Sequence, residues 1–208
     1  MSSKFMSVVA ATAVASLSTL TLAAVELTNN GGFETGDFTG WTQFPTGVGQ
    51  QNVITSNPSA GTYAAQINNN VTFSNSLFKQ ANIGVGIVNP GDPIKIKFDA
   101  RGSYAVPGGV AFAEFFSELS GGGTSSAVIL GGAPLAINPN PDVWTSFEFD
   151  VFAGPNVSGG VTLQLGATNG PGAPTQMFYD NVSVSIVPEP VSLSVLGLAG
   201  MGLMRRRR

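Results

Sequence analysis

Ile94-Lys95-Ile96-Lys97-Phe98-Asp99-Ala100 alternates apolar and charged residues without a break. Successive side chains of a strand point to opposite faces, so this stretch predicts a half-buried β-strand with Ile94, Ile96, Phe98 and Ala100 on the core side. The same period of two runs through Trp144-Thr145-Ser146-Phe147-Glu148-Phe149-Asp150-Val151, where Phe147, Phe149 and Val151 share a face. It returns in Val161, Leu163, Leu165 and Ala167, and again in Phe178, Val182, Val184 and Ile186. By that parity Asp180 also falls on the inward face of the last strand.

Weaker strand signals lie at 51–55, 62–67 and 71–80. Only Ala111 to Leu119 could pass for a helix, and its flanking glycine clusters favour a strand. Between these runs sit turn-formers such as Asn89-Pro90-Gly91-Asp92-Pro93, Pro107-Gly108-Gly109, Gly121-Gly122-Gly123 and 169–174. Short alternating strands punctuated by Gly, Pro and Asn predict an all-β fold, a single antiparallel β-sandwich of the jelly-roll kind.

Composition narrows the chemistry. The chain has no cysteine and no histidine, which removes disulfide staples, Ser-His-Asp and Cys-His nucleophiles and His-ligated zinc. Any bound metal must take oxygen ligands, which favours calcium. Residues 25–187 carry eleven acids and four bases, a net −7 against −3 for the whole chain. An acidic domain without a basic patch is a poor nucleic-acid binder.

Both ends read as addresses. Residues 1–24 show Lys4, an apolar core from Phe5 through Leu22 and small residues at Ala23 and Ala24. That is the order of a secretory signal peptide, the alternative being a first membrane helix diluted by serine and threonine. Residues 188–208 hold the other address. Val187-Pro188-Glu189-Pro190 leads into an apolar run from Val191 to Met204, and Arg205, Arg206, Arg207 and Arg208 end the chain. Such a basic cluster stays cytoplasmic and places what precedes it across the membrane. The run is about 14 residues, ~21 Å of helix, against the ~30 Å of a bilayer core. A plain anchor would be longer.

The order Pro-Glu-Pro, short apolar segment, arginine cluster resembles the PEP-CTERM sorting signal of Gram-negative bacteria. The resemblance implies an exosortase-like enzyme as partner, cleavage near Pro-Glu-Pro and only transient inner-membrane contact. It also implies delivery to the cell surface, outer membrane or extracellular matrix.

Within the domain, 25–187, Asn30-Gly31-Gly32-Phe33-Glu34-Thr35-Gly36 followed by Gly40-Trp41 resembles the opening of galactose-binding-like sandwiches, especially carbohydrate-binding modules. Phe178-Tyr179-Asp180-Asn181-Val182 resembles their closing strand. The resemblance implies a structural calcium held by Glu34 and Asp180. A main-chain carbonyl at Gly31 and the loop before Thr62 would complete it. The residues alone leave open a second role: Glu34 capping backbone amides in a turn, Asp180 at a solvent edge.

Trp41 and Trp144 sit at packing positions of that resemblance. Phe44, Phe73 and Tyr104 are the candidate glycan-contact platforms. Glu114 and Glu118 share strand parity, but four residues of strand span roughly 13 Å, too far for a glycosidase pair. No catalytic residue is expected. The expectation is an exported, non-catalytic surface or matrix protein associated with exopolysaccharide; the alternative is a carbohydrate-binding module.

Overall fold

The computed structural model describes residues 23–45 and 51–188. Eleven strands, β1 (Val25–Glu26), β2 (Thr42–Phe44), β3 (Gln51–Ile54), β4 (Ala64–Asn69), β5 (Asn75–Ile83), β6 (Pro93–Ser103), β7 (Val110–Glu118), β8 (Thr124–Ile129), β9 (Thr145–Phe152), β10 (Val161–Thr168) and β11 (Thr175–Ile186), form two antiparallel sheets. The first sheet runs β3-β4-β11-β6-β9, with β1 added along β11. The second runs β2-β5-β10-β7-β8. Every connection inside a sheet is antiparallel, as the sandwich expectation requires. Among the described residues no helix is long and apolar enough to cross a membrane.

The core is what the alternation predicts. Ile94, Ile96, Phe98 and Ala100 of β6 and Val161, Leu163, Leu165 and Ala167 of β10 are buried against one another between the sheets. The ambiguous 111–119 stretch is strand through Glu118, within β7, with Ala111, Ala113 and Phe115 inward. Aromatic edges knit the opening motif into this core: Phe33 stacks on Trp41 with centroids 5.4 Å apart, and both meet Phe78. Phe78 in turn meets Tyr179 edge-on. Burying a side chain of this size contributes roughly 1.5–3 kcal/mol, so this aromatic chain ties β5 and β11 firmly to the opening turn.

The last strand departs from the expected parity. A bulge interrupts the pairing of β11 with β6 between Asp180 and Ser183, and Asn181 sits there at φ +50°. An extra residue resets which face each side chain meets. Met177 and Tyr179 therefore point inward before the bulge, and Val182 and Val184 after it. Phe178 and Asp180 lie on the outer face of the first sheet, opposite Arg101 and Asp99 of β6. Asp180 is nevertheless fully buried, because loop 55–63 folds over it.

The two ends of the domain meet. Val25 pairs with Ile186, and the Val182 amide donates to the Gly31 carbonyl at 2.9 Å. A Cβ on Gly31 would lie 1.8 Å from the Val182 oxygen, so only glycine lets the opening turn approach β11 this closely.

Candidate functional site

Two places gather polar chemistry. The first is the outer face of the second sheet. Inward alanines at 111 and 113 and Phe115 leave Phe112, Glu114 and Phe116 of β7 facing out, all partly exposed. Strand register aligns them with neighbours in rows. One row runs Thr42, Lys79, Gln164, Glu114, Ile129 across all five strands. The next runs Phe44, Leu77, Gly166, Phe112. On the other side of the polar row, Thr162, Phe116 and Ala127 align.

The rows have physical content. A Cβ at Gly166 would stand 2.3 Å from the Phe112 ring, so the missing side chain is what lets that ring lie down on the sheet. Gln164 donates its Nε2 to Glu114 Oε2 at 2.7 Å, which orients both side chains in the polar row. Lys79 Nζ sits 5.2 Å from the Phe44 ring centroid, and Phe44 is 45 % exposed. Flat rings beside fixed amide and carboxylate groups can accept the apolar face and the hydroxyls of a sugar ring together.

The second place is the opening turn and the bulge. Asp180 accepts the Ser59 and Ala60 amides on Oδ2, at 2.8 and 3.1 Å, and the Asn181 amide on Oδ1 at 2.7 Å. Glu34 accepts the Thr62 and Tyr63 amides at 3.0 Å each. Both carboxylates thus grip the same loop by its N–H groups, the capping role that the sequence left open for Glu34. Both side chains pass near Gly32: a Cβ there would be 3.5 Å from Glu34 Cγ and 3.9 Å from Asp180 Oδ1.

Burial pushes the Asp180 carboxyl up from its ordinary value, against the pull of the Ala60, Asn181 and Ser59 amides, and the neighbouring Asp99 pushes it further. The ion pairs among the described residues leave Asp180 without a cationic partner: Lys95 and Lys97 serve Glu148 and Asp150, and Arg101 lies beside Asp142. Asp180 is thus a buried carboxylate without a base, but its oxygens, those of Glu34 and the Gly31 carbonyl already accept backbone amides. Among the described residues no group of three or more acidic side chains is gathered as for a metal ion.

Beside it, Arg101 is 4 % exposed and lies between two rings, 3.7 Å from the Phe178 centroid and 5.0 Å from that of Trp144. Its guanidinium donates to the Ser56 carbonyl at 3.2 Å and the Pro141 carbonyl at 3.4 Å, and Nε has no acceptor. Trp144 Nε1 donates to the Asn57 carbonyl. Trp144 is thus a packing residue, and so is Trp41, which is buried in the core with Nε1 on the Asn30 carbonyl.

Of the proposed platforms, Phe44 stands on the outer face just described. Phe73 is 79 % exposed, in the loop between β4 and β5. Tyr104 offers no open ring: it packs against the core and its hydroxyl donates to the Leu135 carbonyl. Phe112, Phe116 and Gln164 were missed. Their signal was the outward half of β7, where Phe112, Glu114 and Phe116 alternate with the inward Ala111, Ala113 and Phe115. Val187 donates its amide to the Pro93 carbonyl, and Pro188 is the last residue described. Residues 1–22 of the expected signal peptide (1–24) and Glu189, Pro190, Val191 to Met204 and Arg205 to Arg208 lie outside the described residues.

No family model and no curated protein matches this chain. Solved structures do. The structure of TmCBM61 in complex with β-1,4-galactotriose is similar over 77% of this chain and 97% of its own, at 17% identity and a TM-score of 0.50. The CBM22-1 xylan-binding domain of Xyn10C from Paenibacillus barcinonensis is similar over 79% and 94%, at 12% identity and a TM-score of 0.51. A Stig cyclase from Fischerella sp. TAU is similar over 81% and 99%, at 15% identity and a TM-score of 0.56. At these identities the likeness establishes the fold. The chain is an all-β, two-sheet sandwich of the kind found in carbohydrate-binding modules, and that fold also carries at least one cyclase.

Proposed function

We propose that this protein is an exported, non-catalytic glycan-binding module whose site is the outer face of the second sheet. The observation that carries the reading is Phe112 lying over Gly166 beside the oriented Gln164–Glu114 pair. The carbohydrate-binding modules among its structural neighbours support it. Catalysis is left out, since Gln164 already occupies Glu114 and Glu118 is four strand residues away, roughly 13 Å.

Export and sorting follow from the two ends of the sequence: a signal peptide, then a PEP-CTERM tail processed by an exosortase-like enzyme. Such a route delivers the domain to the surface or matrix of a Gram-negative cell, where an exopolysaccharide is the glycan at hand. Structural calcium belongs to the same reading. Glu34, Asp180 and the Gly31 carbonyl would hold it, and it would neutralise the buried carboxylate and fasten the opening turn to β11.

Retention of the full chain on a panel of immobilised polysaccharides, the producer's own exopolysaccharide included, tests the proposal. Saturable retention by one glycan class, weakened about tenfold in Phe112→Ala, is the expected result; one aromatic contact is worth about 1.4 kcal/mol on that scale. Absence of retention by folded protein on every glycan would leave a purely structural matrix role.

A further inference from the structure

Residues 25–187 set four bases against eleven acids, and three of the bases are matched within the fold. Lys95 and Lys97 pair with Glu148 and Asp150, and Arg101 lies beside Asp142. The ion pairs among the described residues leave the fourth base, Lys79, without a carboxylate. That lysine stands in the polar row of the proposed glycan face.

Local structure puts it there. Phe78 and Gln80 of β5 are buried on the core side, so Lys79 between them points outward and is half-buried. Register sets it between Thr42 of β2 and Gln164 of β10. Its ammonium is 5.2 Å from the centroid of the exposed Phe44 ring on the edge strand β2. A ring face attracts an ammonium without saturating its three N–H donors. A cation, its donors and an open aromatic surface are thus presented together on one side of the row.

The carboxylate of the row lies on the other side. Glu114 is two strands from Lys79, about 10 Å at the usual strand spacing. That exceeds the ~8 Å over which physiological salt screens exposed charges. Gln164 stands between the two and donates Nε2 to Glu114 Oε2 at 2.7 Å. Glu118, the other acid facing out from this sheet, lies further along β7. Glu26, Asp99, Glu148, Asp150 and Asp180 belong to the first sheet. The row therefore has a donor-only end at Lys79 and an acceptor end at Glu114.

We infer that the glycan held on this face is acidic, with a carboxylate on one sugar unit meeting Lys79 and the hydroxyls of a neutral unit meeting Gln164 and Glu114. The inference rests on the glycan-binding reading above and adds the charge of the ligand. A neutral polymer leaves the half-buried ammonium with no counter-charge, and a polymer charged on every unit presses a carboxylate against Glu114. Acidic units spaced by neutral ones satisfy both ends of the row. Lys79 is then the residue that selects the glycan, while the rings hold it.

Retention of the full chain is measured on the producer's own exopolysaccharide, on gellan and on hyaluronan, each native and after reduction of its carboxyls to alcohols. Polygalacturonate, acidic on every unit, is the comparison. The expected result is retention on a native polymer about tenfold tighter than on its reduced form, the factor of one charge-assisted hydrogen bond. Lys79→Gln should erase that difference and Lys79→Arg should keep it. Lys97→Gln, the same change of net charge on the other sheet, should leave it alone. Added salt should weaken retention of wild type and not of Lys79→Gln. Equal retention on native and reduced polymers, still weakened in Phe112→Ala, overturns the acidic ligand and leaves the glycan face standing. A loss in Lys97→Gln as large as in Lys79→Gln, or strongest retention on polygalacturonate, overturns it too. No retention of folded protein on any polymer overturns both readings.

Discussion

Tyr179 reaches across the sandwich and donates its hydroxyl to the carbonyl of Gly166 at 2.9 Å. Phe112 covers the same glycine from outside. One backbone position thus connects the first sheet, the core and the proposed glycan face. The donor is fully buried, and burial drives the Tyr179 phenol far above its ordinary range, so it stays a protonated donor at any physiological pH.

Tyr179→Phe removes that donor and leaves the Gly166 carbonyl one partner short inside the core. A loss of about 1–2 kcal/mol is expected, read as a lower urea midpoint with an unchanged slope. Gly166→Ala acts on the other face. Its methyl displaces the Phe112 ring, so glycan retention should fall about as far as in Phe112→Ala. Full retention in both variants would remove that ring from the site.

Asp180 supplies a pH test. Its carboxyl is raised in the folded protein, so as pH falls through that raised value the native state takes up a proton that the unfolded chain does not. The Asp180 contribution to stability in chelator should therefore grow on acidification, until the ordinary value of 3.8 is reached and the unfolded chain protonates as well, while Asp99 and Glu148, held low, pull the other way. Calcium should raise the melting temperature near neutral pH and flatten this dependence, because a ligand held only by the native state stabilises it. Asp180→Asn should remove the calcium response and, against wild type, the part of the pH dependence that Asp180 supplies. Melts identical in calcium and chelator would dismiss the ion.

Arg101 clamps the loops that cover Asp180, through the Ser56 and Pro141 carbonyls and the Phe178 and Trp144 rings. Arg101→Met keeps the apolar stem and loses the donors and the cation. A destabilisation of about 2–3 kcal/mol is expected from a desolvated cation–π stack plus hydrogen bonds. Arg101→Lys should recover only part of it, since a point ammonium cannot match the planar guanidinium between rings. Chemical denaturation of the three proteins decides this.

Gly31→Ala drives a methyl into the Val182 carbonyl at 1.8 Å. The opening turn must then leave β11. A loss of about 3 kcal/mol is expected, together with faster amide exchange at Val182 than in wild type.

The strands with one buried face announce themselves. β6, β9 and β10 carry strict alternation because water lies on one side and the core on the other. β8, Thr-Ser-Ser-Ala-Val-Ile, carries none, being an edge strand with most of its side chains exposed, and it went unread. The parity of Asp180 failed for a local reason: Asn181 adopts a left-handed backbone that asparagine tolerates, and one inserted residue inverts every inference beyond it. Glu34 meets loop 59–63 through the Thr62 and Tyr63 amides, the capping role that the residues alone left open beside the calcium expectation. The proposed glycan face stayed hidden because it depends on register between β5, β10 and β7, which no single stretch of chain contains.

The pairing of Val25 with Ile186 leaves the first and last residues of the domain side by side. A short peptide joining them would close the backbone into a ring without moving a strand. New ends could then be opened at Gly121-Gly122, where no side chain or backbone comes within 4 Å of either missing Cβ. The domain is therefore topologically a cassette: it can be inserted as a loop into a host protein, or circularly permuted, with its Phe112–Gln164 face intact.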